Sequence, residues 1–182
     1  MPQSSPATTK LGYKHYVCYP DDGRRHEIID GDHYVNPALN TNHQRYSRRI
    51  QFQLYDQLEE TGKGEVFNAP TDLQLTDHDI VQPDLIVVMH ERRLIITPTK
   101  VKGTPDLIVE ILSPSTKKND CVLKKELYER VGVPEYWIVD PDEHVVERFV
   151  LRDGKYAFEG SHAKQLMVAT IKNVRVDLTR VW

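Results

Sequence analysis

Cysteine is scarce in this chain: 182 residues hold two, Cys18 and Cys121, far apart and in no metal-ligand spacing. That argues against a disulfide framework and a thiolate zinc site, and fits free thiols in a reducing, cytoplasmic setting. No apolar run approaches the ~18–20 residues that cross a bilayer. The first ten residues are rich in Pro, Ser and Thr and lack an apolar segment, so they do not read as a secretory signal. Residues 1–12 read instead as a flexible tail, and residues 13–182 as one domain. Neither G-x-x-x-x-G-K-[ST] nor G-x-G-x-x-G occurs, which removes the main support for nucleotide binding. The histidines show no H-x-x-x-H or cysteine partnership of the zinc-binding kind. Ser113, Ser115 and Ser161 lie in no nucleophile elbow. Positive charge is not in excess either, with 24 Lys and Arg against 27 Asp and Glu and a net charge of −3. A general coat for nucleic acid would be basic, although paired basic residues do occur, as at Arg24-Arg25, Arg48-Arg49 and Lys124-Lys125.

What the chain does have is a succession of short apolar runs parted by turn signals. At 39% hydrophobic and 28% charged residues, a chain of this length is expected to bury one sizeable core. Residues 24–29 read as a strand, Asp30-Gly31 as a hairpin turn and 33–35 as the return. Thr41 or Asn42 is placed to cap a helix reaching about residue 60. Its apolar positions Tyr46, Ile50, Leu54 and Leu58 recur every four residues and form one stripe. Gly62 and Gly64 stop it. Strands are expected at 65–68, 73–75 and 85–89, then a polar interruption at Glu91-Arg92-Arg93, a loop over 97–103 and a strand at 107–112. A helix over about 118–130, capped by Ser or Thr within 113–116, ends at Gly132. Strands follow at 136–139 and 145–151. The remainder supplies two or three short strands and an anchor of Leu178, Val181 and Trp182, while residues 13–19 read as irregular. This order predicts an α/β (α+β) fold: a mixed central sheet flanked by helices, with an N-terminal β-hairpin.

The chemistry concentrates between residues 83 and 136. Two strands open with Pro-Asp, at Pro83-Asp84 and Pro105-Asp106, and the second carries Glu110 where an aliphatic residue is expected. An ionised carboxylate is costly to bury unless it is paired or binds a cation. Side chains alternate along a strand, so Asp106, Ile108, Glu110 and Leu112 share a face. If the two strands pair, Asp84 approaches Glu110. Carboxylates that close repel unless one is protonated or a cation lies between them. Such oxygen ligands suit Mg²⁺ or Mn²⁺. Asp120, Lys124 and Tyr128, four residues apart, line one face of the following helix. Lys124 would meet phosphate charge or orient an attacking water, with Tyr128 or Asp120 orienting the lysine. Glu27 in the early hairpin is a candidate further ligand or base. Each residue also has a plainer role open to it. Asp84 and Asp106 can cap strand ends, and Glu110 and Lys124 can form a structural ion pair. Tyr128 can be packing, Glu27 a surface residue and His43 a helix-end cap.

P-D-L at 83–85, P-D-L-I-V-E-I-L-S-P-S-T at 105–116, D-x-x-x-K-x-x-x-Y at 120–128 and G-V-P-E-Y-W-I-V-D-P at 132–141 together resemble the Uma-type family of restriction endonucleases, within the PD-(D/E)XK nuclease superfamily. H-E-I-I-D-G at 26–31 is similar to that family's Glu-bearing hairpin, and His43 stands where its first helix often carries a histidine. The resemblance covers roughly residues 24–141. It implies a restriction-endonuclease-like core and a Mg²⁺-dependent nuclease site in which Asp84 and Glu110 hold the metal. The superfamily's lysine two positions after the second acid is replaced by Leu112, and Lys124 takes its place. Lys124-x-x-x-Tyr128 also resembles the polar-x-x-x-Tyr motif of RecB-like nucleases. The expectation is a cytoplasmic nuclease acting on DNA as a homodimer, with the aromatic strand at Tyr136-Trp137 as contact surface. A second expectation is a nuclease fold retained for binding nucleic acid or a protein partner, and a third is a phosphoesterase acting on a small or RNA substrate.

Overall fold

The computed structural model describes residues 10–36, 40–113 and 119–182, with residues 119–121 described by their backbone alone. The expected cap at Ser115 or Thr116 and the side chain of Asp120 lie outside the described residues. In chain order the elements begin with α1 (Tyr13–Tyr16), β1 (Arg25–Ile29), β2 (Asp32–Asn36) and α2 (Thr41–Leu58). Strands β3 (Gly64–Asn68), β4 (Leu73–Thr76), β5 (Asp79–Val81) and β6 (Leu85–Met89) follow, then a 3-10 turn (His90–Ile95) and β7 (Val101–Lys102). Next come β8 (Leu107–Ile111), α3 (Asn119–Val131), β9 (Glu135–Asp140), β10 (Val145–Arg152) and β11 (Lys155–His162). Strands β12 (Gln165–Met167) and β13 (Arg175–Asp177) and a 3-10 turn (Leu178–Arg180) complete the order.

Six strands form the central sheet in the order β11-β10-β9-β8-β6-β3. Strand β8 runs parallel to β9 across the α3 crossover, and the other neighbours are antiparallel. A second, five-stranded sheet has the order β2-β1-β5-β4-β7. Its first hairpin turns at Asp30 and Gly31, whose φ values of 50° and 85° suit a two-residue turn with both central residues left-handed.

The inner strands β6, β8 and β9 are buried on both faces, which is why they read as near-continuous apolar runs. Ile50, Leu54 and Leu58 of α2 pack with Val66, Leu85, Val87, Leu107 and Val109 on one face. Burying each of those three side chains stabilises the fold by roughly 1.5–3 kcal/mol. On the other face Ile86, Val88, Ile108 and Ile138 meet Leu127 and Tyr128 of α3 and Ile29, Leu73 and Val81 of the smaller sheet. Residues 82–84 carry the chain from one sheet to the other, between β5 and β6.

Several expectations shift locally. Asn40 caps α2, its side chain accepting from His43 N at 2.9 Å, in place of Thr41 or Asn42. Residues 13–16 form a helical turn, β7 lies inside the expected loop, and β5 adds a strand. Tyr136 and Trp137 are fully buried. They lie in β9, which is paired on both edges, so they offer no surface to a second copy. The chain already packs from Leu11 onward, whose N–H donates to Gly31 O at 3.0 Å.

Candidate active site

Asp84 sits where the chain enters β6. Leu85 pairs with Val109, and continuing that antiparallel register by one residue sets Asp84 opposite Glu110. Pro83 has no N–H to extend the ladder, and Ile111 N donates to Asp84 Oδ2 at 2.8 Å instead. Arg25 Nη1, from β1, donates to Asp84 Oδ1 at 3.0 Å. His43 Nε2, from the first turn of α2, lies 3.0 Å from Asp84 Oδ2 and 3.2 Å from Ile111 O. Both of those neighbours are acceptors, so Nε2 is the nitrogen that carries the proton.

Lys124 joins the two sheets electrostatically. Its Nζ donates to Glu27 Oε1 at 2.9 Å and to Glu110 Oε1 at 3.1 Å. Tyr128, one turn further along α3, donates its hydroxyl to the same Glu110 oxygen at 2.7 Å. Glu27 is held from two more sides, by Asn36 Nδ2 at 2.6 Å and Gln82 N at 2.8 Å. The four ionisable groups are nearly dry: Glu27 and Asp84 are 1% exposed, Lys124 5% and Glu110 7%. Beside them a cleft of about 120 Å³ opens along His43, Asn40, Tyr46 and Leu112.

Burial sets the electrostatics. It raises Glu110 from 4.5 to about 7, with Lys124 opposing and the charges of Asp84 and Glu27 adding to the rise. Burial also works against the charged form of Lys124, but Glu110 and Glu27 outweigh it and hold the ammonium above its ordinary range. Asp84 would likewise be pushed up by burial, yet His43, Arg25 and Ile111 N keep it below its ordinary value. Tyr128 is raised well above its ordinary value by burial and by Glu110. The cluster therefore holds one firmly ionised acid, one acid poised near neutrality and one firmly charged amine.

Of the residues singled out in the sequence, Glu27, His43, Asp84, Glu110, Lys124 and Tyr128 are brought together. Asp106 is not. It stands at the opening of β8, four residues and about 13 Å of strand from Glu110. There its Oδ2 accepts from Met89 N at 2.7 Å and its Oδ1 lies 3.3 Å from Arg92 Nε. Arg25, Asn36 and Gln82 join the cluster without having been singled out for it. Gln82 is held on both sides of its peptide: its N–H donates to Glu27, and its carbonyl accepts from Arg25 Nη1 at 3.2 Å. Its side chain donates to Tyr16 Oη at 3.0 Å and to Asp72 Oδ1 at 2.9 Å.

The donor chemistry fits a hard divalent cation. Among the described residues no three His, Cys, Asp or Glu side chains converge as a closed metal cage. Mg²⁺ seldom uses one: it binds through one or two carboxylates and keeps waters and substrate oxygens. Asp84 and Glu110 supply two such carboxylates. The hydrogen bonds that Glu110 accepts from described residues all fall on Oε1.

The arrangement of sheets and helices that carries these residues is similar to that of a solved structure. A crystal structure from Anabaena variabilis, described as "a putative nuclease belonging to DUF820", superposes with a TM-score of 0.77 at 16% sequence identity, covering 94% of this chain and 97% of that one. The two chains share one fold, a mixed central sheet flanked by helices. The Uma2 family, described as "Putative restriction endonuclease", matches residues 13–178, and the chain belongs to that family. Comparison with curated proteins gives no match. Restriction-endonuclease-like nucleases generally use divalent metals.

Proposed function

We propose that this protein, acting as one domain over residues 13–182, is a Mg²⁺- or Mn²⁺-dependent deoxyribonuclease that hydrolyses DNA phosphodiester bonds. The observation that carries the reading is the Glu27–Lys124–Glu110 bridge, dry and beside Asp84, in a member of a nuclease family. Asp84 and Glu110 would hold the cation. A divalent cation in such a site neutralises phosphate charge and makes a water more acidic. Lys124 faces the incoming phosphate charge, and its ammonium is kept protonated by the two glutamates that flank it. Tyr128 fixes the rotamer of Glu110 through Oε1. His43 and Arg25 keep Asp84 ionised and oriented. Glu27 positions Lys124 from the second sheet. Double-strand cleavage would call for two copies, so a homodimer belongs to the proposal, its interface lying elsewhere than β9.

The test is cleavage of supercoiled plasmid and of single-stranded DNA with Mg²⁺, Mn²⁺ or EDTA. The parent protein should nick DNA only with metal, and Glu110→Gln and Lys124→Ala should each lower the rate at least 100-fold. Cutting at the parental rate by both variants would overturn the assignment. A parent that binds DNA but never cuts it would leave the fold as a binding module.

A further inference from the structure

Arginines gather on the outer side of α2, away from the carboxylates. Arg48 and Arg49 of the helix and Arg180 of the last 3-10 turn line a surface cavity of about 230 Å³ together with Phe52 and Gln53. Among the described residues no carboxylate side chain lines it. Arg49 donates from Nη1 to the backbone oxygens of Val181 and Trp182, at 2.9 and 2.8 Å, which ties the segment carrying Arg180 to the helix. Asp177, the acid nearest to Arg180 in sequence, is turned to Thr179, whose N–H and hydroxyl it accepts at 3.0 and 2.6 Å. Among the described residues no ion pair engages Arg48 or Arg180. Phe52, one helical turn from Arg48 and on its side of α2, leaves 63% of its surface exposed.

A single exposed apolar side chain is ordinary. A phenyl ring left open beside guanidiniums, in a cavity whose described lining residues include no acid, is a different environment, because it offers charge for phosphate and a face for an unpaired base at one place. Sequence-tolerant binding of single strands rests on that pairing. We propose that this face of α2 is an accessory site for single-stranded DNA, with Arg48 and Arg180 on phosphate oxygens and Phe52 stacked on a base. The proposal takes its ligand class from the nuclease reading but does not depend on cleavage. Helix α2 links the two places: His43 in its first turn touches Asp84, and Arg48 follows about 7.5 Å further along the axis. A strand held on the outer face is thereby anchored to the element that carries part of the candidate active site.

Fluorescence anisotropy with fluorescein-labelled oligothymidylate in EDTA reads this directly, since nothing is cleaved. Arg48→Glu/Arg180→Glu should weaken binding at least 10-fold. The milder Arg48→Gln/Arg180→Gln should lower the slope of log affinity against log salt by about 1.4, the value for two lost contacts to a single strand. Phe52→Ala should weaken binding roughly 5- to 100-fold, and Phe52→Trp should restore it. Unlabelled single strand should compete better than blunt duplex of equal length. Binding within twofold of the parent in the charge variants overturns the proposal. So does equal competition by duplex, or a parent that does not bind. A change from dimer to monomer with binding intact would assign the face to self-association instead. A parent protein that binds the oligonucleotide but does not cleave plasmid with metal would count against the nuclease reading and leave this site standing.

Discussion

Lys124 is the residue on which the cluster turns, because two nearly dry glutamates share its ammonium. Removing one partner of a buried ion pair is costly mainly because it strands the other charge, typically by about 3–5 kcal/mol. Lys124→Met is therefore expected to lower unfolding free energy by about that amount at pH 8 in urea titrations. Glu110 adds a pH dependence of known sign. Its carboxyl rises from 4.5 to about 7 on folding, so the stability it contributes is complete below about 4.5 and is lost as pH climbs through about 7. The raised Lys124 and lowered Asp84 contribute flat terms across that window, since the ammonium stays charged below its unfolded value and the Asp84 carboxylate above its own. The parent should thus lose stability between pH 5 and 8 relative to Glu110→Gln. Parallel stability curves would contradict the raised value. Glu110, Lys124 and Tyr128 were legible in the sequence because an acid inside an aliphatic strand and a spacing of four on a helix are local signals. Arg25, Asn36 and Gln82 were not, because each is an ordinary polar residue until the chain crosses between sheets and sets it against Glu27 or Asp84.

At the scale of elements, α2 does two jobs on two sides. Its stripe of Ile50, Leu54 and Leu58 covers the central sheet, while its first turn delivers His43 to Asp84. Leu54→Ala would open a cavity at a fully buried position and should cost about 2–5 kcal/mol. The measurement is a thermal or urea midpoint, and a loss below 1 kcal/mol would mean the stripe is not the core contact described. The stripe was legible from its period, and β6 and β8 from their apolar runs bounded by Pro-Asp. β5 and β7, three and two residues long, were not, because such short strands are defined by pairing partners and leave no period to read. The cap of α2 moved to Asn40 because the side chain that reaches His43 N is decided by backbone geometry, and several polar residues stood nearby. Asp106, read on the same strand face as Glu110, serves Met89 N and Arg92 at the far end of that face: alternation fixes the side of a strand but not the distance along it.

The whole molecule places its candidate site where two sheets meet. The central sheet supplies Asp84 and Glu110, the smaller sheet supplies Glu27 and Arg25, and the two helices close over them with His43, Lys124 and Tyr128. Among the described residues no helix is long and apolar enough to cross a membrane. Family membership over residues 13–178 and the shared fold agree with the resemblance first read from short motifs. The clustering of Glu27 with Lys124 needed the tertiary structure, since 97 residues separate them. The most direct test is calorimetric titration of Mn²⁺ into the parent, Asp84→Asn and Glu110→Gln proteins near pH 7. A cation shared by these two carboxylates predicts saturable binding to the parent, proton release as Glu110 ionises, and at least tenfold weaker binding to each variant. Equal Mn²⁺ affinity in all three proteins would contradict it.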